Sequence, residues 1–194
     1  MTSFTHFDTV GPMPSTSIER WGSQVPEAVL DLWQTVGVGL IGADGFVRVI
    51  DPAWYADLLP DWFTNAEDAV PFLATGMGDL FIWKPPIIRH ALYRSLEVRG
   101  IAPEFESLWP LLEDPAYLDL HLDRGDYPAG VQRLGTPTAR EAFFYAPFLA
   151  LGGAPGPDLP GRGAPAPRPR RSATPAAPPP RRHRLGSASA HSSR

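Results

Sequence analysis

The chain has 194 residues, and its charge divides it into an acidic body and a basic tail. Residues 1–153 contain 9 basic and 20 acidic residues, a net charge of 9 − 20 = −11, whereas residues 154–194 contain eight arginines and one aspartate. The absence of cysteine excludes disulfide bonds and thiolate metal sites. No stretch has the pattern of a signal peptide or the ~20 apolar residues of a membrane span, so we expect a cytoplasmic protein without membrane contact.

The N-terminal third is predicted to contain one clear helix. Residues 1–22 mix a few aromatic residues with turn formers, and we expect them to lie against the core as irregular chain. The helix is predicted to follow this segment. It begins at Pro26, which suits a first helical turn, and ends at Gly37. Its apolar residues, including Trp33, recur at helical spacing.

Two hairpins are predicted from short turn signals. Asp44-Gly45 separates two apolar segments, and the stretch "ATGMGDLFIWK" from Ala74 to Lys84 joins two apolar runs through Gly76-Met77-Gly78. The glycine pair is not predicted to bind phosphate, because a phosphate loop would lead into a helix and usually carry Lys with Ser or Thr. Between the hairpins, Asp51 is predicted to cap a helix that begins at Pro52.

The remainder of the body is predicted to mix strands and short helices. Residues 87–98 could form a strand or a helix, and extended chain is the preferred interpretation. Two short helices, broken by Pro110 and Pro115, are expected in "PEFESLWPLLEDPAYLDLHL". "REAFFYAPFLALGG" is predicted to be a buried strand that stops at Gly152-Gly153. The predicted fold class is α+β, with antiparallel hairpins or a sheet and helices packed on one face.

No residue pattern in the sequence indicates an enzymatic reaction, and we predict neither a catalytic residue nor a cofactor. His121 has Asp119 and Asp123 as neighbours, but a metal site needs three or more convergent ligands, so a charged helix end is the preferred interpretation. The acidic pairs Glu104/Glu106 and Glu113/Asp114 would form a hydrolase pair only if they lined one cleft.

The negative charge of the body is the more informative feature. Acidic surfaces disfavour nucleic acid and favour basic partners, although solubility alone also accounts for such a charge. We therefore predict an interface of carboxylates with neighbouring aromatic anchors. Its candidate residues are Asp57, Asp61, Glu67, Asp68 and Asp79, with Trp54, Tyr55 and Trp62.

The tail, residues 154–194, is predicted to be disordered. Ten of its 41 residues are proline and it has no aromatic residue, so it offers almost nothing to bury. Its arginines could contact acidic partners or nucleic acid. An alternative hypothesis is that a frameshift after Gly153 replaced the natural C-terminus, since Arg, Pro, Ala and Gly are typical of GC-rich codons read out of frame.

Three stretches together resemble a known pair of bacterial domains. "VPEAVLDLWQTVGVGLIGADGFVRVIDPAWYADLL" resembles the GAD-like domain, "VPFLATGMGDLFIWK" resembles the core motif of the domain that usually follows it, and "REAFFYAPFLALGG" resembles the closing motif of that second domain. The residues that match these motifs are Trp33, Gly39, Gly45, Pro52, Tyr55, Gly76, Gly78, Asp79, Leu80, Trp83, Glu141, Pro147, Gly152 and Gly153. Most of them have structural roles in turns and core.

The resemblance implies a division into a GAD-like region at residues 1–65, an immunity-type domain at residues 66–153 and the tail, with the first two as separate domains or one shared core. It also implies a non-enzymatic immunity protein that binds and blocks a toxin, for example a DNase effector of a type VI secretion system. A protein-binding or regulatory module without a toxin partner is the alternative. Arg140 and Phe143-Phe144 depart from the family pattern, and neither the partner nor the oligomeric state follows from the sequence.

Overall fold

A seven-stranded antiparallel sheet, in which each strand pairs with its neighbours in sequence, organises the structure. We describe a computed structural model over residues 4–61, 63, 66–101, 105–146, 149, 152–156 and 161–164. The strands of this sheet are β1 Phe7–Gly11, β2 Val38–Ile41, β3 Val47–Val49, β4 Val70–Thr75, β5 Leu80–Lys84, β6 Ile87–Leu92 and β7 Glu97–Gly100.

The α-helices of the described residues pack on one face of the sheet, which confirms the predicted α+β class. They are α1 Ser15–Trp21, α2 Glu27–Thr35, α3 Phe105–Leu108, α4 Pro115–His121 and α5 Tyr127–Leu134. Each contributes to the larger core cluster, which contains Val49, Leu73 and Phe81 from the sheet. Because strand side chains alternate between faces, Leu80 and Ile82 point the other way, into a smaller cluster.

The N-terminal prediction is wrong, because residues 7–21 form β1 and α1 instead of irregular chain. β1 is an edge strand whose middle residues, Asp8 to Val10, are all exposed, so it lacks the alternation that marks a half-buried strand. It pairs with β2, and Phe7 lies against Gly39, where an added Cβ would be 2.5 Å from the phenylalanine ring. Gly39 therefore has a packing role.

Both predicted hairpins are confirmed. Ile41 pairs with Val47 across the turn that contains Gly45, and Ala74 pairs with Leu80 across the Gly76-Met77-Gly78 turn. Gly78 has a φ of 84°, the left-handed region that favours glycine. At Gly76 an added Cβ would lie 2.1 Å from the ring of Tyr127. The two glycines of this turn thus serve backbone geometry and close packing.

The helical segments differ in detail from the predictions. Asp51 does accept the capping hydrogen bond from the Ala53 N–H, but Pro52–Trp54 and Ala56–Asp61 are 3₁₀ helices. Pro115 begins α4 behind the capping residue Asp114, and Trp109–Glu113 is a 3₁₀ helix. α5 was not predicted, because Pro128 and Gly130 interrupt its helical pattern.

The predicted C-terminal strand is only partly present. Ala142–Phe144 forms β8, which pairs with Gly161–Gly163, here β9, in a separate two-stranded sheet. Residues 161–163 therefore form a strand, although the whole tail was predicted to be disordered. Residues 157–160 and 165–194 lie outside the described residues. Pro147 also lies outside them, and Gly152 has a φ of 89° before Gly153.

The predicted boundary between residues 65 and 66 falls between two strands that pair with each other, β3 and β4. The two predicted domains therefore share one sheet. Residues of the second predicted domain also form hydrogen bonds with the β2–β3 hairpin. The buried Arg48 donates to the Glu141 carbonyl, and the Tyr127 hydroxyl donates to the Asp44 carbonyl at 3.0 Å. Arg124 completes these links through an ion pair with Asp44 at 2.7 Å.

Candidate functional site

The acidic segment, defined as the described residues 51–61, 63 and 66–68, covers the sheet face opposite the α-helices. The segment contains five acidic residues and no basic residue. Its first carboxylate, Asp51, accepts hydrogen bonds from the Ser17 hydroxyl at 2.6 Å and the Ala53 N–H at 3.0 Å. Three buried side chains then fix the segment to the smaller core cluster: Tyr55, Leu58 and Leu59.

Three carboxylates of the predicted interface are exposed on this segment. Asp57 lies in the second 3₁₀ helix, and Glu67 and Asp68 form the turn before β4. Asp68 pairs with Lys84 of β5, and the hydrogen bond from that ammonium lowers the pKa of the Asp68 carboxyl. The segment therefore presents three acidic side chains to solvent, and the carboxyl of Asp68 is ionised at neutral pH.

The predicted aromatic anchors have different environments. Trp54 is half-buried, and the guanidinium of Arg140 lies 4.9 Å from the centroid of its ring. Tyr55 is buried, and burial raises the pKa of its hydroxyl. Asp61 ends the second 3₁₀ helix, and Trp62 lies outside the described residues. Trp54 is thus the anchor that the described structure places at the surface.

Asp79 occupies a different place from the other predicted interface residues. It precedes β5 on the helix-covered face, is fully buried and accepts a hydrogen bond from Arg94 Nε at 3.0 Å. Its charge is neutralised inside the protein, so it does not contribute to the exposed acidic surface of this structure.

Arg94 links this buried carboxylate to the loop after α4. Its guanidinium donates to the Asp123 carbonyl at 3.0 Å and to the Leu122 carbonyl at 3.3 Å. The nearby His90 stacks on Phe81 at 4.8 Å, and burial lowers the pKa of its imidazole. Among the described residues, Asp79 Oδ1 and His90 Nε2 are buried without a hydrogen-bond partner.

Strand alternation could have placed His90 but not Arg94. Residues 88 and 90 share a parity, so a buried Ile88 implies that His90 faces the same side of the sheet, whereas Arg94 lies in the turn after β6, where the alternation ends. The partner of Arg94 could not have been found, because sequence alone does not align Asp79 with it across the β5–β6 hairpin.

A cavity of about 250 Å³ lies between the Gly76-Met77-Gly78 turn and the β8–β9 ribbon. Its walls include Met77, Tyr93, Phe143 and Tyr145, and Arg94 forms the polar part of the lining. The donors of Arg94 are already directed to Asp79 and to backbone carbonyls. The cavity therefore offers mainly apolar surface.

The acidic groups considered for chemistry that lie in the described residues have structural partners, whereas Glu104 and the side chain of Glu106 lie outside them. Asp119 binds Arg124, and Asp123 lies 3.3 Å from Arg94, so both carboxylates that flank His121 are engaged. Glu113 accepts the backbone N–H groups of Thr5 and His6, both at 2.9 Å, and Asp114 caps α4. Within the described ranges, no group of three or more His, Asp or Glu residues could hold a metal ion.

Comparisons with known proteins identify the N-terminal part of the chain. Residues 2–93 match the family model of the GAD-like domain, and the match includes residues 66–93, which the sequence interpretation assigned to a second domain. The crystal structure of Atu4351 from Agrobacterium tumefaciens is similar in fold, with a TM-score of 0.65 and 13% identity over 83% of this chain and 80% of that chain. No curated protein matches the sequence.

In the part of the chain that the structure describes, no helix is long and apolar enough to cross a membrane.

Proposed function

Because residues 2–93 form a GAD-like domain, we propose that the chain is an immunity-type protein that binds and neutralises a basic toxin without catalysing a reaction. The partner in this proposal is a DNA-cleaving effector, such as a DNase delivered by a type VI secretion system. The observation that carries the proposal is the acidic segment, which exposes Asp57, Glu67 and Asp68 while Tyr55, Leu58 and Leu59 are buried.

Charge complementarity supports this class of partner. A DNase holds the phosphate backbone through Lys and Arg, so its cleft is positively charged. An inhibitor with exposed carboxylates imitates the phosphate charge, associates quickly and excludes DNA. Residues 1–153 carry a net charge of −11, which directs the long-range attraction towards a basic protein.

The attachment of the acidic segment also suits an inhibitor. Asp51 caps its start and three apolar side chains anchor it to the sheet, so its carboxylates are ordered before binding. A preorganised surface loses less conformational entropy on association than a flexible loop. Trp54, half-buried beside the carboxylates, supplies an aromatic group of the type that contributes most to interface affinity.

The proposal can be tested with the triple variant Asp57→Asn, Glu67→Gln, Asp68→Asn. The candidate partner is sought among the products of genes adjacent to this one, and its binding is measured by titration calorimetry at low and physiological salt. We expect binding at least about tenfold weaker at low salt, because each substitution removes a charge that steers the basic partner.

A matched control neutralises three exposed carboxylates elsewhere: Asp8→Asn, Glu19→Gln, Glu27→Gln. These residues lie on β1, α1 and α2, and the control has the same net charge as the test variant. If both triple variants bind the toxin equally, the acidic segment is not the interface. Co-expression supplies the functional test: binding without rescue of growth would favour a regulatory module over an immunity protein.

A further inference from the structure

β8 has a neighbour on each of its two edges. On one side the Phe143 N–H donates to the Gly76 carbonyl at 2.8 Å, which fastens β8 to the β4–β5 turn. On the other side lies β9, with Phe143 opposite Arg162 and Phe144 opposite Gly161. The short segment Gly161-Arg162-Gly163 therefore occupies an edge of β8 as an added strand.

The Arg162 side chain enters a group of acceptors beside α5. Its Nη1 donates to the Gly135 carbonyl at 3.3 Å and the Thr136 carbonyl at 3.1 Å, and its Nε lies 4.0 Å from Glu141 Oε2. The two carbonyls follow the C-terminus of α5, where the helix dipole favours a cation. One guanidinium thus meets two backbone oxygens and one carboxylate.

The aromatic ring of Phe144 lies over the two glycines that flank Arg162, and it is closer to Gly161. An added Cβ at Gly161 would lie 3.3 Å from Phe144 Cζ, and one at Gly163 would lie 4.0 Å from Phe144 Cε1. The Phe144 ring itself remains 36% exposed. A larger residue at the position of Gly161 would have to displace this ring.

We propose that Glu141, Phe144 and the carbonyls of Gly135 and Thr136 form a recognition site for an extended Gly-Arg-Gly segment, called the arginine slot below. Residues 161–163 occupy the slot in cis. The occupant in trans is an extended segment of a partner protein in which an arginine lies between small residues. It would add to β8 as a strand, with main-chain hydrogen bonds for affinity and the arginine for specificity. This inference is independent of the acidic segment.

The tail competes with such a partner because it is tethered nearby. The Gly156 N–H donates to Asp126 Oδ2 at 2.8 Å, so four residues of chain lie between this anchor and Gly161. Short tethers give effective concentrations in the ~mM range. An external peptide must displace the tail in the wild-type protein, whereas Arg162→Ala should weaken the cis occupant and expose the slot.

The experiment measures binding of a fluorescent peptide, Pro-Gly-Arg-Gly-Ala, to full-length protein by fluorescence anisotropy. We expect Arg162→Ala to bind it about tenfold more tightly than the wild type, since the cis competitor is weakened. Arg99→Ala, which removes an exposed arginine on β7, is the matched control and should bind like the wild type. Adding Glu141→Gln to Arg162→Ala should reverse the gain.

A second peptide, with lysine in place of arginine, tests the chemistry of recognition. Lysine keeps the charge but lacks the planar fork that meets several acceptors at once, so we expect weaker binding. The proposal is overturned if Arg162→Ala binds the arginine peptide no better than the wild type, in which case β9 is only an intramolecular closure. Equal binding of both peptides would also overturn it, because attraction would then be non-specific.

Discussion

Replacing Arg94 by methionine would leave a carboxylate buried without its counter-ion. The Arg94 side chain is 5% exposed, and that of Asp79 is fully buried. Both hydrogen bonds to Asp79 Oδ2 would be lost, while Asp79 Oδ1 already has no partner among the described residues. We expect a large loss of stability, because the buried Asp79 carboxylate would keep its charge without a counter-ion.

The magnitude follows from the groups left unpaired. Removing one partner of a buried ion pair costs about 3–5 kcal/mol. The Leu122 and Asp123 carbonyls also lose a donor, but Asp123 is exposed and water can replace that bond. We therefore expect a loss of about 4 kcal/mol in the free energy of unfolding. For a protein of this size the melting temperature should fall by about 8–16 °C.

The assay is urea unfolding followed by tryptophan fluorescence, with thermal unfolding followed by circular dichroism. Arg99→Met is the control, because Arg99 pairs with Glu97 at the surface and both side chains are more than half exposed. Exposed pairs contribute at most about 1 kcal/mol, so this variant should unfold almost like the wild type.

A double variant separates the ion pair from simple loss of packing. Asp79→Leu with Arg94→Met replaces both charges by apolar groups and should recover more than half of the stability lost in Arg94→Met. If Arg94→Met costs less than about 1 kcal/mol, or the double variant is no more stable than the single one, the buried pair does not have the role described above.

Two further predictions concern buried groups of the sheet. Burial lowers the pKa of His90 in the folded protein below the ordinary histidine value of 6.5, so as the pH falls through 6.5 the unfolded chain gains a proton that the folded protein does not, and stability decreases. His90→Leu should reduce this loss in urea unfolding between pH 7 and pH 5, and an unchanged slope would contradict the assignment. Gly76→Ala places a Cβ 2.1 Å from Tyr127 and should cost about 1–3 kcal/mol or more, whereas Gly11→Ala, with no atom within 4 Å, should cost much less. Equal melting temperatures of the two variants would show that Tyr127 moves aside freely.

Local signals were sufficient for the turns and caps. Asp44-Gly45 and Gly76-Met77-Gly78 specify hairpins through backbone conformations that glycine adopts readily, and Asp51 caps through an acceptor two residues from its donor. These features depend on residues close in sequence, which is why they could be predicted without a structure.

Features that depend on distant residues could not be predicted in this way. β1 has three exposed residues in a row, and only its pairing with β2 makes it a strand. Asp79 was expected at the surface because it lies beside a loop, but it is buried in an ion pair with Arg94. The strand at Gly161–Gly163 has no strand propensity of its own, and β8 supplies its hydrogen-bonding partner.

The consecutive order of the strands bears on how the protein assembles during synthesis. Each of β2 to β7 pairs with the strand made just before it, so the sheet can grow hairpin by hairpin as the chain leaves the ribosome. The partners of the β2–β3 hairpin are synthesised much later. Asp44 contacts Arg124 and Tyr127, and Arg48 donates a hydrogen bond to Glu141. A nascent chain that stops short of these residues would carry a paired sheet with one end still open.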